Sequence, residues 1–101
     1  MLMTVNAENF EEVVLNSAEP VLVDFFATWC GPCSALAPVV EELSNENPDK
    51  KICKIDIDGS IKIARKFKVM SIPTLIVFKD GKEVKRNVGP ASKEEMLEML
   101  K

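Results

Sequence analysis

The 101-residue chain contains no histidine. That absence removes every mechanism in which an imidazole is general base, triad member or metal ligand, and with it the usual serine and cysteine hydrolases. Tyrosine is missing too, so no phenol can act as acid or nucleophile. No stretch approaches the ~18 consecutive apolar residues of a membrane-spanning helix. Positive charge is not in excess: 13 Lys and Arg stand against 16 Asp and Glu, a net charge of −3, the wrong sign for a sequence-independent grip on nucleic acid. The first residues, MLMTVNAENFEEVV, carry acids where a secretory leader needs basic residues followed by an apolar run. Cysteines number three, an odd count and too few for a disulfide scaffold. The expectation is an intracellular, cytoplasmic protein with neither a nucleic-acid nor a membrane partner. In such a reducing compartment a close cysteine pair is catalytic or metal-binding rather than structural.

What is present is an ordinary globular composition, 47% hydrophobic and 29% charged, which excludes disordered and collagen-like classes. The length suits one domain, residues 1–101, without linker, repeat or low-complexity segment. Asn6 is placed to cap a helix whose Phe10, Val13 and Val14 recur at helical spacing, with Glu8 and Glu11 where the helix dipole favours them. After Glu19-Pro20, the nearly unbroken apolar run Val21 to Phe26 reads as a strand covered on both faces. Leu36, Val39, Val40 and Leu43 mark a second helix to about Asn45, with Pro38 inside it as an expected kink. Lys51 to Ile57 is a third extended run, and Asp58-Gly59-Ser60 breaks the chain and caps a helix carrying Ile63, Ala64 and Phe67.

Thr74 to Phe78 reads as a second buried strand. Asp80-Gly81 is a two-residue hairpin turn, and Glu83 to Val88, charged at alternate positions, suits a sheet edge. Ser92 and Glu95 form a capping box for a terminal helix packing through Met96, Leu97 and Leu100. The order of elements predicts an α/β sandwich with a mixed sheet.

Cys30 and Cys33 stand three apart at the start of the second helix, so both face one way with Cβ atoms roughly 5–6 Å apart before adjustment, near what a disulfide can close. Cys30 sits at the helix end, where free backbone donors and the dipole favour a thiolate. The dipole contributes ~0.3–1 kcal/mol, under one pKa unit at about 1.36 kcal/mol per unit, so direct hydrogen bonds to sulfur must supply any further drop. Cys33, one turn inside, is expected to be more buried and less acidic. Pro32 falls in the first helical turn, where its missing donor costs little. Half of a zinc site is the competing reading, but zinc needs about four ligands and only Cys53 is left over. An iron–sulfur cluster fails on the same count. A Cys-x-x-Cys near a βαβ pattern is a standard signature of a thioredoxin-like redox motif.

The Trp29-Cys30-Gly31-Pro32-Cys33 pentapeptide closely resembles the thioredoxin family. The resemblance runs along essentially the whole chain, through Val23-Asp24-Phe25-Phe26-Ala27, Ala37-Pro38, Lys54-Ile55-Asp56, Ile72-Pro73-Thr74 and Lys79-Asp80-Gly81. It implies a thioredoxin fold, a five-stranded mixed β-sheet sandwiched by four α-helices, and a protein-disulfide reductase that needs no cofactor beyond the Cys30–Cys33 disulfide. The implied partners are thioredoxin reductase and disulfide-containing proteins such as ribonucleotide reductase, peroxiredoxin and methionine sulfoxide reductase, met by a monomer.

Asp24 interrupts an apolar strand. The bland reading is a paired or strand-end aspartate; near Cys33 the preferred one is a proton acceptor whose pKa burial raises. The resemblance agrees and adds Lys54 beside it. It also makes Pro73 cis and facing the cysteines, where the residues alone suggest a trans strand-start proline. In the family the residue before that proline offers backbone hydrogen bonds to an extended substrate, as in strand addition. Gly31 and Pro32 would shape the active-site loop, and Trp29, Ile72, Pro73, Val88 and Gly89 would receive the substrate. Phe26, Ser34 and Pro90 depart from residues common in the family and bear on redox potential and reductase preference. Cys53 reads as a core residue. Two other functions remain open at this stage: a non-catalytic binding or scaffold subunit on the same fold, and a disulfide oxidase or isomerase, a class more often exported.

Overall fold

In the computed structural model, which describes residues 2–101, the apolar runs become strands and the periodic segments helices. The order is β1 (Leu2–Val5), a π-helical turn (Glu11–Leu15), β2 (Val21–Phe26), α1 (Gly31–Glu46), β3 (Lys51–Asp56), α2 (Ile61–Lys66), β4 (Thr74–Lys79), β5 (Lys82–Val88) and α3 (Lys93–Met99). The strands form one sheet in the order β1-β3-β2-β4-β5. β1, β3 and β2 run parallel, β4 is antiparallel to β2, and β5 is antiparallel to β4. The chain belongs to the expected α/β class, and β2 lies at the centre of the sheet.

Side chains alternate across the pleat, so each strand supplies two cores. Val21, Val23 and Phe25 point to one face with Cys53, Ile55, Ile76 and Phe78, where Phe10 and Val14 close over them. Phe10, Phe67 and Phe78 pack with ring centroids 4.9–5.6 Å apart, two of the three pairs edge to face, a geometry worth on the order of 0.5–1.5 kcal/mol per pair beyond burial. On the other face Leu22, Ile52, Leu75 and Val77 meet Leu36, Val40 and Leu43 of α1 and Met96 and Leu100 at the α3 end. Lys93 of α3 pairs with Glu42 and Glu46 of α1 at 2.5 and 3.2 Å; such surface pairs contribute little.

Several local expectations are refined. Asn6 does act as a cap: its Oδ1 accepts from the amides of Glu8 and Asn9 at 3.0 and 3.1 Å. The helix that follows is a π turn rather than an α-helix, closed by the five-residue bond from Asn16 N to Glu11 O. β1 has no counterpart in the pattern-based reading. Ser60 occupies the cap position of α2, but its side chain makes no capping bond; its carbonyl receives Ile63 N and Ala64 N instead. The capping box of Ser92 and Glu95 is complete, and Asp80 and Gly81 both take positive φ (55° and 77°), as a two-residue hairpin turn of the primed type requires. Pro38 lies inside α1, which continues past it for two further turns.

Candidate active site

The carboxyl end of β2 hands the chain to α1 through the segment 27–30. Cys30 occupies the N-cap position of α1 with extended backbone (φ −89°, ψ 115°), and its Sγ accepts the Cys33 amide at 3.2 Å. The capping role that Ser or Asp oxygen usually fills thus falls to a sulfur, which places a backbone donor and the positive helix end on that atom. Ser34 N and Ser34 Oγ donate to the Cys30 carbonyl at 3.1 and 3.2 Å and fix the turn. Pro32 lies in the first turn, as expected. Cys30 and Cys33 are joined as a disulfide with Cα atoms 5.2 Å apart. Both are buried, 6% and 4% exposed, so the expected contrast in burial is slight in the oxidised form.

The contrast lies in what each sulfur-bearing residue faces. Cys30 Sγ is 3.8 Å from the Ile72 carbonyl oxygen, and the Ile72-Pro73 bond is cis. Ile72, Phe26 and Ile57 pack against the cluster of Ala27, Cys30 and Cys33. Val88 of β5 pairs with Thr74 beside Pro73, and Gly89 N donates to the Pro73 carbonyl at 2.8 Å. Gly89 has φ 101°, a conformation glycine adopts without strain. Trp29 and Val88 are exposed, at 69% and 63%. Of the expected landing residues, Ile72 thus meets Cys30, Val88 and Gly89 join the same loop through Thr74 and Pro73, and Trp29 immediately precedes Cys30 in the chain. Gly31 is exposed, with open space where a Cβ would stand.

Behind the disulfide is a cavity of about 70 Å³ lined by Asp24, Cys33, Lys54, Phe26, Leu2, Ala37, Val40 and Glu41. Cys30 does not line it. Asp24 and Lys54 are register partners on β2 and β3, which brings the two expected charges side by side. Asp24 is buried, its Oδ1 has no hydrogen-bond partner, and burial lifts its carboxyl from an ordinary 3.8 to about 6, an effect that the nearby Lys54 ammonium partly offsets. The Lys54 ammonium also lies 5.9 Å from the centre of the Phe26 ring. Cys53, one residue away, points to the opposite face, where burial pushes its thiol up to about 11. Among the described residues no group of three or more His, Cys, Asp or Glu is gathered to hold a metal, and no helix is long and apolar enough to cross a membrane.

Three contributors escaped the sequence reading. Asp58 Oδ2 accepts the Trp29 indole N–H at 2.7 Å and tethers the exposed ring. Ile57 supports the cysteines from below. Glu41 completes the cavity wall; it stands eight residues after Cys33 on the same helix, and the spacing 33, 37, 40, 41 is a signal that could have found it.

A family model described as Thioredoxin matches residues 1–101. The chain is 48% identical to a thioredoxin of Chlamydia trachomatis over 100 residues, covering 99% of this chain and 96% of that protein. It is 53% identical to a thioredoxin of Mycobacterium tuberculosis over 93 residues, 91% of this chain and 80% of that one. It is also 50% identical over 88 residues to a bifunctional thioredoxin reductase/thioredoxin of Mycobacterium leprae, covering 86% of this chain and 19% of that protein.

Proposed function

This chain belongs to the thioredoxin family and is a thiol–disulfide oxidoreductase, and from that premise we propose how its residues divide the reaction. The Cys30 thiolate attacks one sulfur of a substrate disulfide and forms a mixed disulfide; the other substrate sulfur leaves as a thiolate and takes a proton. Asp24 accepts the Cys33 proton, and the Cys33 thiolate attacks Cys30 Sγ. The second substrate sulfur is expelled and the Cys30–Cys33 bond forms. Two electrons move from the dithiol to the substrate. The observation that carries this division is the cavity shared by Asp24 and Cys33 but not Cys30. A carboxylate poised near pH 6 in that cavity matches the task of taking a thiol proton near neutrality.

Lys54, beside Asp24, supplies a positive charge that keeps the carboxylate available. Gly31 and Pro32 shape the loop. An extended substrate segment lies along Ile72, Pro73, Val88 and Gly89 with Trp29 at its side, held chiefly by main-chain bonds. The disulfide itself is the redox group and no further cofactor is required. The dithiol is restored by a thioredoxin reductase, a reading supported by the mycobacterial relative whose name joins the two activities. The downstream acceptors are disulfide-containing proteins of the classes named above. A working dithiol together with the free thiol of Cys53 fits a reducing compartment such as the cytoplasm, and a single domain acting as a monomer suffices. The test is covalent trapping. Cys33→Ser, mixed with an oxidised protein substrate, should accumulate a mixed disulfide that mass spectrometry maps to Cys30, and recovery of no adduct from several substrates would refute the assignment.

A further inference from the structure

Between Asp58 and Asp80 the chain has no acidic residue, while α2 and the turn after it carry Lys62, Arg65, Lys66 and Lys68. Four of the 13 Lys and Arg, and none of the 16 Asp and Glu, thus stand in one short segment of a chain with net charge −3. All four are exposed. Among the described residues the ion pairs engage Lys50, Arg86, Lys93 and Lys101, and none of these four. Lys66 makes only a distant approach to its neighbour's ring, 5.7 Å from the centre of Phe67.

The position of the segment gives this charge a meaning. It starts beside Asp58, which holds Trp29, and it ends at Ile72, whose carbonyl faces Cys30. Lys62 is four residues from Asp58 and Lys68 four from Ile72, so at ~3.5 Å per residue their Cα atoms lie within about 14 Å of residues at the active site. Arg86 of β5 donates to the carbonyls of Phe67 and Lys68 and fixes the far end of the segment, its own charge answered by Glu83 at 2.7 Å. The segment is therefore a lip of four positive charges, none of them in an ion pair among the described residues. Its two ends lie near the apolar rim of Cys30, and its nearest acid in sequence is Asp58, bound to the Trp29 indole.

We propose that this lip, Lys62, Arg65, Lys66 and Lys68, selects disulfide substrates with acidic residues close to the scissile bond. The inference rests on the disulfide reduction described above and adds a preference within it. Charges of one sign beside a site raise encounter rates with the opposite sign and are screened by salt. The overall charge of −3 argues for the opposite preference, so the two readings differ in sign. Three synthetic peptides of equal length, each containing one disulfide flanked by Glu, by Lys or by Ser, distinguish them. At ~20 mM ionic strength the Glu peptide is expected to be reduced with a kcat/KM about tenfold above that of the Lys peptide, and at ~500 mM the difference should collapse.

The variant Lys62→Gln/Arg65→Gln/Lys66→Gln leaves Lys68, which holds a positive φ, in place. It should abolish or reverse the preference while the Ser peptide is reduced at the wild-type rate, which also shows that the variant is folded. An unchanged ratio with the Ser peptide rate intact, or a wild-type preference for the Lys peptide, would overturn the inference alone. Failure of the wild-type protein to reduce any of the three would overturn the reductase reading and this inference with it.

Discussion

The two faces of the sheet each bury one ionisable group near the centre, and the two behave differently. Asp24 of β2 and Cys53 of β3 are both almost inaccessible to water, and burial raises the pKa of each, to about 6 and about 11. On the Cys53 side the surroundings are Val5, Val23, Phe25 and Ile55 with the phenylalanine trio, a sealed apolar core. On the Asp24 side a small cavity connects the carboxyl to Cys33 and to two charged side chains, Lys54 and Glu41. Desolvation alone thus keeps a thiol protonated in one place. Combined with a cavity and a reactive neighbour it gives the proposed proton acceptor, Asp24, a pKa in the working range.

The cysteines give the sharpest contrast between the faces. Cys33→Ser should reduce steady-state turnover of a protein disulfide to background, whereas Cys53→Ala should leave it at the wild-type rate; parallel assays with a reductant-coupled readout compare them. A large loss in Cys53→Ala would contradict this difference between the two faces.

The next effect is on stability. A carboxyl with a folded pKa of about 6 against an ordinary 3.8 binds its proton more tightly when folded. The folded state therefore holds more protons than the unfolded one between these values. The Asp24 contribution is most favourable below pH 3.8, is lost as pH rises towards 6, and stays lost above. At neutral pH the ionised group costs the fold roughly 3 kcal/mol. Asp24→Asn should consequently stabilise the oxidised protein by up to about 3 kcal/mol at pH 7, with little gain at pH 4. Urea unfolding at the two pH values measures this, and equal effects at both would remove the desolvated charge as the cause. The smallest expected change is on the sealed face, where Cys53→Ala should cost about 1 kcal/mol through the cavity it leaves, with the same value at both pH values.

Much of this contrast could be read from the sequence, for physical reasons. Val21–Phe26 and Thr74–Lys79 announce themselves because strands buried on both faces lack polar alternation, and Asp24 stands out because it breaks such a run. The hairpin turn and the final capping box are local chemistry and are equally visible. β1 was missed because four residues, half of them only partly buried, carry no periodic signal. The π turn was missed because Phe10 and Val14 fall on one side in either kind of helix. The cavity is a different case. Register between β2 and β3 decides that Asp24 meets Lys54, and no local pattern encodes register between strands 30 residues apart. Only the family resemblance pointed to Lys54, and nothing pointed to Asp58 as the tether of Trp29.

Asp24 is proposed to take the Cys33 proton in the second step and to have no part in the first. The most direct measurement follows formation and decay of the mixed disulfide separately, in single turnovers across pH 5–8, for wild type and Asp24→Asn. In the wild type the decay rate should rise through a midpoint of about 6. In Asp24→Asn that midpoint should disappear and decay should slow by about 10²-fold, while formation is unchanged. Equal slowing of both steps, or an unaltered decay profile in the variant, would contradict the account.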